Sequence, residues 1–163
     1  MHAEYDALLA DLLDACRRHY GDRLAAVAVY GSVGRGTPRF DSDVDVLIVA
    51  EGLPAGRFPR VEDFGAVEQA LAPRLQAARA AGLQPELSPI FKTPAELVRG
   101  TPLLLDMTED ARILHDPDRC LASVLDSLRT RLGALGSRRI WRGDAWYWDL
   151  KPDYKWGDVI ELF

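Results

Sequence analysis

Cysteine is scarce in this sequence, which contains only Cys16 and Cys120, far apart along the chain. The two form no CxxC motif, so they indicate neither a zinc site nor a disulfide framework. The three histidines are equally scattered and lack the spacing of zinc ligands. We therefore expect free thiols in a reducing compartment and place the protein in the cytoplasm.

Long apolar runs and an excess of positive charge are also missing. No apolar stretch approaches the roughly 20 residues that a membrane-spanning helix needs. Residues 1–21 mix acids and bases with leucines, unlike a secretory signal. The formal net charge is −5, whereas proteins that hold duplex nucleic acid through its phosphates are usually basic. These absences argue against a membrane protein, a secreted protein and a bulk duplex-binding protein.

The residues that are present predict one small domain, 1–163, with a catalytic core at about 20–100 and a C-terminal helix and tail at 101–163. Valine-rich or short apolar runs predict strands at 24–31, 43–50, 83–91 and, as a strand or extended link, 111–114. Helical spacing predicts helices near 8–16, 64–78, 94–98 and 116–135. We expect Pro73 to kink or split the second of these helices. The alternation indicates an α/β (α+β) fold, a small mixed sheet flanked by helices.

Asp43 and Asp45 are separated by one residue on a predicted strand, so their carboxylates should point to the same face. Two like charges side by side repel each other. A divalent cation removes that conflict, because hard cations take carboxylate and phosphate oxygens as ligands. A pair of solvated aspartates at an exposed strand end explains the pattern equally well.

A glycine-rich loop lies just upstream and favours the first interpretation. Gly31 and Ser32 directly follow a predicted strand. A helix turn that begins there would offer backbone N–H groups to phosphate, and glycine would allow close approach. Arg35 is a natural donor to phosphate or to the nearby carboxylates. The alternative is a simple turn between a strand and a helix.

The spacing of this loop differs from those of the better-known phosphate loops. Its order is G-x-x-G-x-G, not the G-x-G-x-x-G of dinucleotide-binding folds, and no GK[ST] ending follows. The loop is therefore neither a Rossmann nor a Walker cradle.

Residues 31–36, GSVGRG, followed after six residues by Asp43-Val44-Asp45, resemble the signature of the DNA polymerase beta nucleotidyltransferase superfamily. The pattern is similar to that of its minimal nucleotidyltransferases, which are small stand-alone catalytic domains, and it covers residues 27–49. Gly34 departs mildly from the family, which often has alanine or another small residue there.

The resemblance implies nucleotide-binding roles for Gly31, Ser32, Arg35 and Gly36. It also implies that Asp43 and Asp45 bind Mg²⁺ (or Mn²⁺) and act as catalytic residues. The family uses a third carboxylate on a later strand, and Glu86 is the candidate in suitable context. An ordinary edge-strand glutamate is the competing interpretation of Glu86.

The implied reaction is an in-line displacement at the α-phosphorus of a nucleoside triphosphate, most simply ATP, with release of pyrophosphate. Two metal ions roughly 3.5–4 Å apart would take part. Glu86 would complete one metal site and act as a base. The acceptor, which is a small molecule, a protein or an RNA end, is not named by the sequence.

All four tryptophans lie in the tail, residues 137–163, where aromatic side chains alternate with arginines and lysines. One interpretation is that the rings stack on a base or acceptor while the cations hold phosphate. Nearby acids balance the bases, so we favour the other interpretation, in which the tail packs over the sheet. A contact in a homodimer is a further possibility.

Three other functions compete with transfer. The first is an antitoxin-like partner of a HEPN-type toxin, which overlaps with transfer when the partner itself is modified. The second is a non-catalytic nucleotide-binding domain, against which the intact aspartate pair argues. The third is a glycosyltransferase with a DxD motif, which would explain the aspartates but not the glycine-serine pair.

Overall fold

The structure is a computed structural model that describes residues 2–143 and 145–163. Helices and strands are interspersed along the chain. In chain order they are α1 His2–Tyr20, β1 Leu24–Tyr30, α2 Gly31–Gly34, β2 Val44–Ala50, α3 Arg57–Ala80, β3 Leu87–Lys92, α4 Pro94–Val98, α5 Leu103–Asp110, β4 Arg112–His115, α6 Cys120–Leu135, β5 Arg138–Arg142 and β6 Ala145–Asp149. Among the described residues, no helix is both long enough and apolar enough to cross a bilayer.

A four-stranded mixed sheet forms the centre of the molecule, with strand order β3-β2-β1-β4. Strand β1 runs antiparallel to β2 and β4, whereas β2 and β3 run parallel. The two remaining strands form a separate antiparallel hairpin near the C-terminus. The expected α/β fold with a small mixed sheet flanked by helices is confirmed.

The two central strands are buried on both faces, because helices cover both sides of the sheet. On β2, Val46 and Ile48 pack in the core that contains α1 and α3. Leu47 and Val49 face the opposite way, into the core formed with α4, α5 and α6. Side chains that alternate between two apolar cores explain why the strand is a nearly unbroken apolar run.

The helix that was expected to kink or split at Pro73 does not split, because α3 runs from Arg57 to Ala80 without a break. Pro73 is exposed, and so is Gln69, whose carbonyl loses its usual partner. That carbonyl can bond water, while Phe64 and Leu71 anchor the helix in the core.

Several element boundaries also differ from the sequence prediction, and α1 and α3 begin earlier, at His2 and Arg57. Strand β3 begins at Leu87 rather than at residue 83. Helix α6 begins at Cys120 rather than at residues 116–117. Asp116 still acts as a cap, because its carboxylate accepts hydrogen bonds from the N–H groups of Leu121 and Ala122 at 3.3 and 2.7 Å. Helix α5 and the β5–β6 hairpin were not predicted.

Gly34 lies where α2 packs closely against β1 and the end of α5. A side-chain carbon at Gly34 would lie 2.8 Å from the carbonyl oxygen of Val29 and would overlap that of Asp110. Neither backbone oxygen can move without shifting its element. The departure from the family pattern at Gly34 therefore reflects a lack of space in this chain.

Gly34→Ala should consequently destabilise the fold by about 1–3 kcal/mol, the usual cost of overpacking. Gly65→Ala in α3 is the matched control, since nothing lies within 4 Å of the added carbon. Alanine is favoured over glycine in a helix by up to about 1 kcal/mol, so this variant should be neutral or more stable. Urea denaturation of both variants checks the expectation, and equal midpoints would contradict it.

Candidate active site

The glycine loop lies close against β2 in the site. Tyr30, the last residue of β1, pairs with Asp45 of β2, and Gly31 follows with a φ of +65°. A side-chain carbon at Gly31 would lie 2.5 Å from Oδ2 of Asp45. Glycine is needed here both for the left-handed backbone and for the close approach of the carboxylate.

Asp43 and Asp45 are near enough for their charges to interact. Asp43 is exposed just before β2, and Asp45 is partly buried on the strand. The pKa of Asp45 is raised, first by burial and then by the charge of Asp43, while Arg35 lowers it. Burial, together with the charge of Asp45, also raises the pKa of the Tyr30 hydroxyl to about 12. The site thus holds negative charge against an electrostatic cost.

Ser32, which follows Gly31, lines a cavity. The Ser32 hydroxyl donates to Oγ of Ser42 at 3.0 Å, and the backbone N–H of Arg39 donates to the same Oγ at 2.8 Å. The cavity has a volume of about 710 Å³ and is lined by Ser32, Arg35, Thr37, Arg39, Asp41, Ser42 and Trp141. The sequence prediction missed Ser42 and Arg39, although Ser42 directly precedes the aspartate pair.

Tyr5 of α1 fixes the loop that carries these residues. Its hydroxyl lies 3.0 Å from the carbonyl oxygens of both Arg39 and Ser42, and the side chain is buried. A phenol has one proton to donate, so the two carbonyls share it. The first helix thereby holds the segment between the glycine loop and β2 in place.

Arg35 is engaged more deeply than the sequence suggested. Its Nη1 donates to Oδ2 of Asp110 at 2.6 Å, and Asp110, at the end of α5, is only 2% exposed. Asp110 was missed, because its partners are distant in sequence and no local pattern marks it. Gly36, by contrast, occupies an exposed turn with a φ of +74° and open space beside it.

Glu86 is joined through its backbone to that of β2 beside the aspartate pair. It is exposed and immediately precedes β3, and its carbonyl accepts a hydrogen bond from Val44 N at 2.7 Å. Asp45 itself pairs with Ser88 across β2 and β3. Within residues 2–143 and 145–163, no three histidine, cysteine, aspartate or glutamate side chains are placed to hold a metal ion.

The pattern of residues 31–45 lies inside a longer match to a known family. A model of the nucleotidyltransferase domain family matches residues 9–115, which is more than half of the chain. The chain belongs to this family. The resemblance seen in the sequence is therefore confirmed, and the nucleotidyltransferase region extends from α1 to β4.

One relative of this nucleotidyltransferase is a protein of Methanocaldococcus jannaschii named "Putative protein adenylyltransferase MJ1305". It is 27% identical over 124 residues, which cover 75% of this chain and 79% of the relative. Two solved toxin–antitoxin structures also match. One contains AMP-PNP; it is 18% identical, has a TM-score of 0.45, and the match covers 77% of this chain and 89% of that one. The other is a mutant of MntA-HpeT; it is 15% identical, has a TM-score of 0.48, and the match covers 77% of this chain and 88% of that one. Both scores are below 0.5, so we draw nothing further from these structures.

Tyr5→Phe tests whether α1 fixes the site loop. Removal of the hydroxyl should cost about 0.5–1.5 kcal/mol of stability and lower the binding of nucleotide through a looser loop. Tyr20→Phe is the matched control on the same helix, since the buried Tyr20 hydroxyl has no hydrogen-bond partner among the described residues. Urea denaturation and nucleotide titration measure both effects, and equal behaviour of the two variants would contradict the assignment.

Asp45→Asn should stabilise the metal-free protein at pH 7, because it removes a partly buried, repelled charge. We expect the gain to be small, since solvent partly screens the group. Because the pKa of Asp45 is higher in the folded state than in the unfolded state, the wild-type protein loses stability as the pH rises from the unfolded-state pKa through the folded-state pKa. The gain should therefore be complete at neutral pH and vanish in acid. Urea denaturation in EDTA at several pH values measures it, and a loss of stability at pH 7 would refute the electrostatic account.

Proposed function

We propose that this nucleotidyltransferase transfers AMP from ATP to a hydroxyl group of a protein acceptor and releases pyrophosphate. The observation that carries the proposal is the contact between the Asp45 carboxylate and Gly31, next to Ser32 and its cavity. This contact sets a negatively charged pair beside a group of hydroxyl and guanidinium donors. Such a pairing suits a cation and a polyphosphate lying side by side.

The carboxylates fit a divalent cation. Asp43 and Asp45 repel each other, and burial adds to the cost of the Asp45 charge. Carboxylate oxygens are the ligands that Mg²⁺ and Mn²⁺ prefer, and substrate phosphates commonly supply others. We propose that Asp43 and Asp45, with Glu86 as the third carboxylate, would hold two such ions. A bound cation supplies neutralising charge for the leaving pyrophosphate and a lower pKa for the attacking hydroxyl.

The residues of the cavity have a binding role in this proposal. Hydroxyl groups of Ser32 and Ser42 and the guanidinium of Arg35 line it, and these donors match the oxygens of the β- and γ-phosphates. Gly31 keeps the backbone close to the carboxylates, and Gly36 allows the turn that follows Arg35. Fixed donors of this kind act mainly by positioning the α-phosphorus for attack.

The transfer forms a bond between the acceptor oxygen and the α-phosphorus and breaks the bond from that phosphorus to the oxygen that bridges the α- and β-phosphates. The electron pair of that bond leaves with pyrophosphate. The proton of the acceptor hydroxyl must go to a base, and we assign this role to Glu86. Glu86 lies two residues before Ser88, which pairs with Asp45 across β2 and β3. Alternate residues of a strand face the same side of the sheet, so Glu86 continues the side on which Asp45 lies.

The name of the Methanocaldococcus jannaschii relative, a protein adenylyltransferase, supports a protein as the acceptor. A partner toxin would be one such protein, so the antitoxin alternative is tested by the same reaction. An enzyme that consumes ATP and has free thiols at Cys16 and Cys120 is expected to work in the cytoplasm, where thiols stay reduced.

Asp43→Asn and Asp45→Asn should each lower AMP transfer by at least about 100-fold, because each removes a metal-ligating charge at a site that acts by electrostatics. Glu86→Gln should do the same if it is the third carboxylate. Glu68→Gln, on the exposed side of α3, is the control and should remain fully active. The assay follows labelled ATP with Mg²⁺ and a cell extract, and circular dichroism verifies that each variant is folded.

The position of the label identifies the acceptor. Labelled protein, identified by mass spectrometry, would support the proposal and would show whether the acceptor is a toxin. Label on RNA or on a small molecule would overturn the protein acceptor but not the transfer. Full activity of the Asp43→Asn and Asp45→Asn variants would overturn the assigned site.

A further inference from the structure

We infer that the β5–β6 hairpin completes the nucleotide site, because its Arg139 and Trp141 join Asp110 in holding Arg35 for the β,γ-phosphate end of a nucleoside triphosphate. This inference rests on the proposed function and names residues for the same site. The hairpin begins at Arg138 and lies beyond residues 9–115, the part that matches the family.

A single buried carboxylate links the hairpin to the glycine loop. One oxygen of Asp110 accepts from Nη1 of Arg35 at 2.6 Å, and the other accepts from Nη1 of Arg139 at 2.8 Å. The Asp110 side chain is 1% exposed, and that of Arg139 is 13% exposed. Little water can reach these bonds, so they are stronger than ion pairs at the surface.

The two arginines and one aspartate together carry a charge of +1. A buried pair of Arg35 and Asp110 alone would be neutral, and the aspartate would satisfy the charge of the guanidinium. The second arginine leaves a net positive charge at the wall of the cavity, to which Arg35 contributes directly. In a protein with a net charge of −5, this local excess favours an anion such as polyphosphate.

Two indole rings hold the guanidinium groups in place. The ring centroids of Trp141 and Trp146 are 4.8 Å apart. The Cζ atom of Arg35 lies 5.1 Å from the centre of Trp146, and that of Arg139 lies 5.2 Å from the centre of Trp141. These are cation–π distances, so each arginine is oriented by both an aromatic face and a carboxylate.

Trp141 has a second role, because it is itself a wall of the cavity that contains Ser32 and Ser42. A large apolar ring next to Arg35 excludes water from the donors and so strengthens their attraction for phosphate. Trp146 and Trp148 instead donate their indole N–H groups to Asp106 of α5 at 2.7 and 2.9 Å. These two bonds dock the hairpin, while Trp141 is left at the cavity.

The experiment measures the binding of ATP, inorganic tripolyphosphate and AMP by calorimetry to the whole chain and five variants. Arg139→Gln removes the second partner of Asp110. Arg142→Gln is its control, because it makes the same change of charge on the same strand, although Arg142 stacks on Tyr147 and not on the tryptophans. Trp141→Ala removes the cavity wall. Tyr147→Ala is its control, because Tyr147 is as exposed as Trp141, at 45% against 47%. Tyr147 pairs with Ile140 and so lies on the other face of the hairpin.

Arg139→Gln and Trp141→Ala should each weaken ATP and tripolyphosphate about tenfold, leave AMP unchanged and raise KM for ATP with little change in kcat. Arg139→Lys should restore part of the affinity, because it restores the charge. The controls should bind as the wild type does. Thermal melting identifies any variant whose hairpin has detached as a whole.

If Arg139→Gln and Arg142→Gln weakened the binding of ATP and tripolyphosphate equally, the effect would depend on net charge alone, and the inference would be overturned. Equal effects of Trp141→Ala and Tyr147→Ala, or a matching loss of AMP affinity, would overturn the assignment to the phosphate end. Wild-type protein that binds tripolyphosphate but transfers no AMP would refute the proposed function and leave this inference intact. Wild-type protein that binds neither ATP nor tripolyphosphate would refute both.

Discussion

The contact between the Asp45 carboxylate and the backbone of Gly31 is the constraint on which the candidate site depends. It follows from the antiparallel register of β1 and β2, in which Tyr30 pairs with Asp45 and the chain must turn at once into α2. Any side chain at Gly31 would collide with the carboxylate. The strand pair, the glycine and the aspartate therefore form one geometric unit, in which no part can change alone.

The surroundings of this unit fix it from three directions. Tyr5 of α1 holds the loop that ends in Ser42. The close packing at Gly34 sets α2 against the end of α5. Asp110, at that same end of α5, binds Arg35. The site is thus assembled between the two apolar cores that lie on opposite faces of the sheet, and each core contributes an element that positions it.

The electrostatics of the site divide it into two regions of opposite sign. Asp43 and Asp45 concentrate negative charge at the start of β2, where burial and mutual repulsion raise the pKa of Asp45. The group of Arg35, Asp110 and Arg139 concentrates positive charge at the cavity wall. A protein rarely keeps like charges together without a functional reason, because each group of like charges lowers stability when its ligand is absent.

The sequence by itself determined the local parts of this protein: the apolar strands on either side of the glycine loop, the aspartate pair, and the family that their spacing indicates. These follow from residues near each other in the chain, where periodicity and turn chemistry act directly. Only the tertiary structure decided that Pro73 lies inside an unbroken helix, that Asp116 caps α6 from a preceding turn, and that Asp110 and Arg139 meet Arg35. One ion pair of this group, between Arg35 and Asp110, joins residues 75 positions apart. Such contacts arise from how helices and a hairpin pack on a sheet, and no local pattern records them.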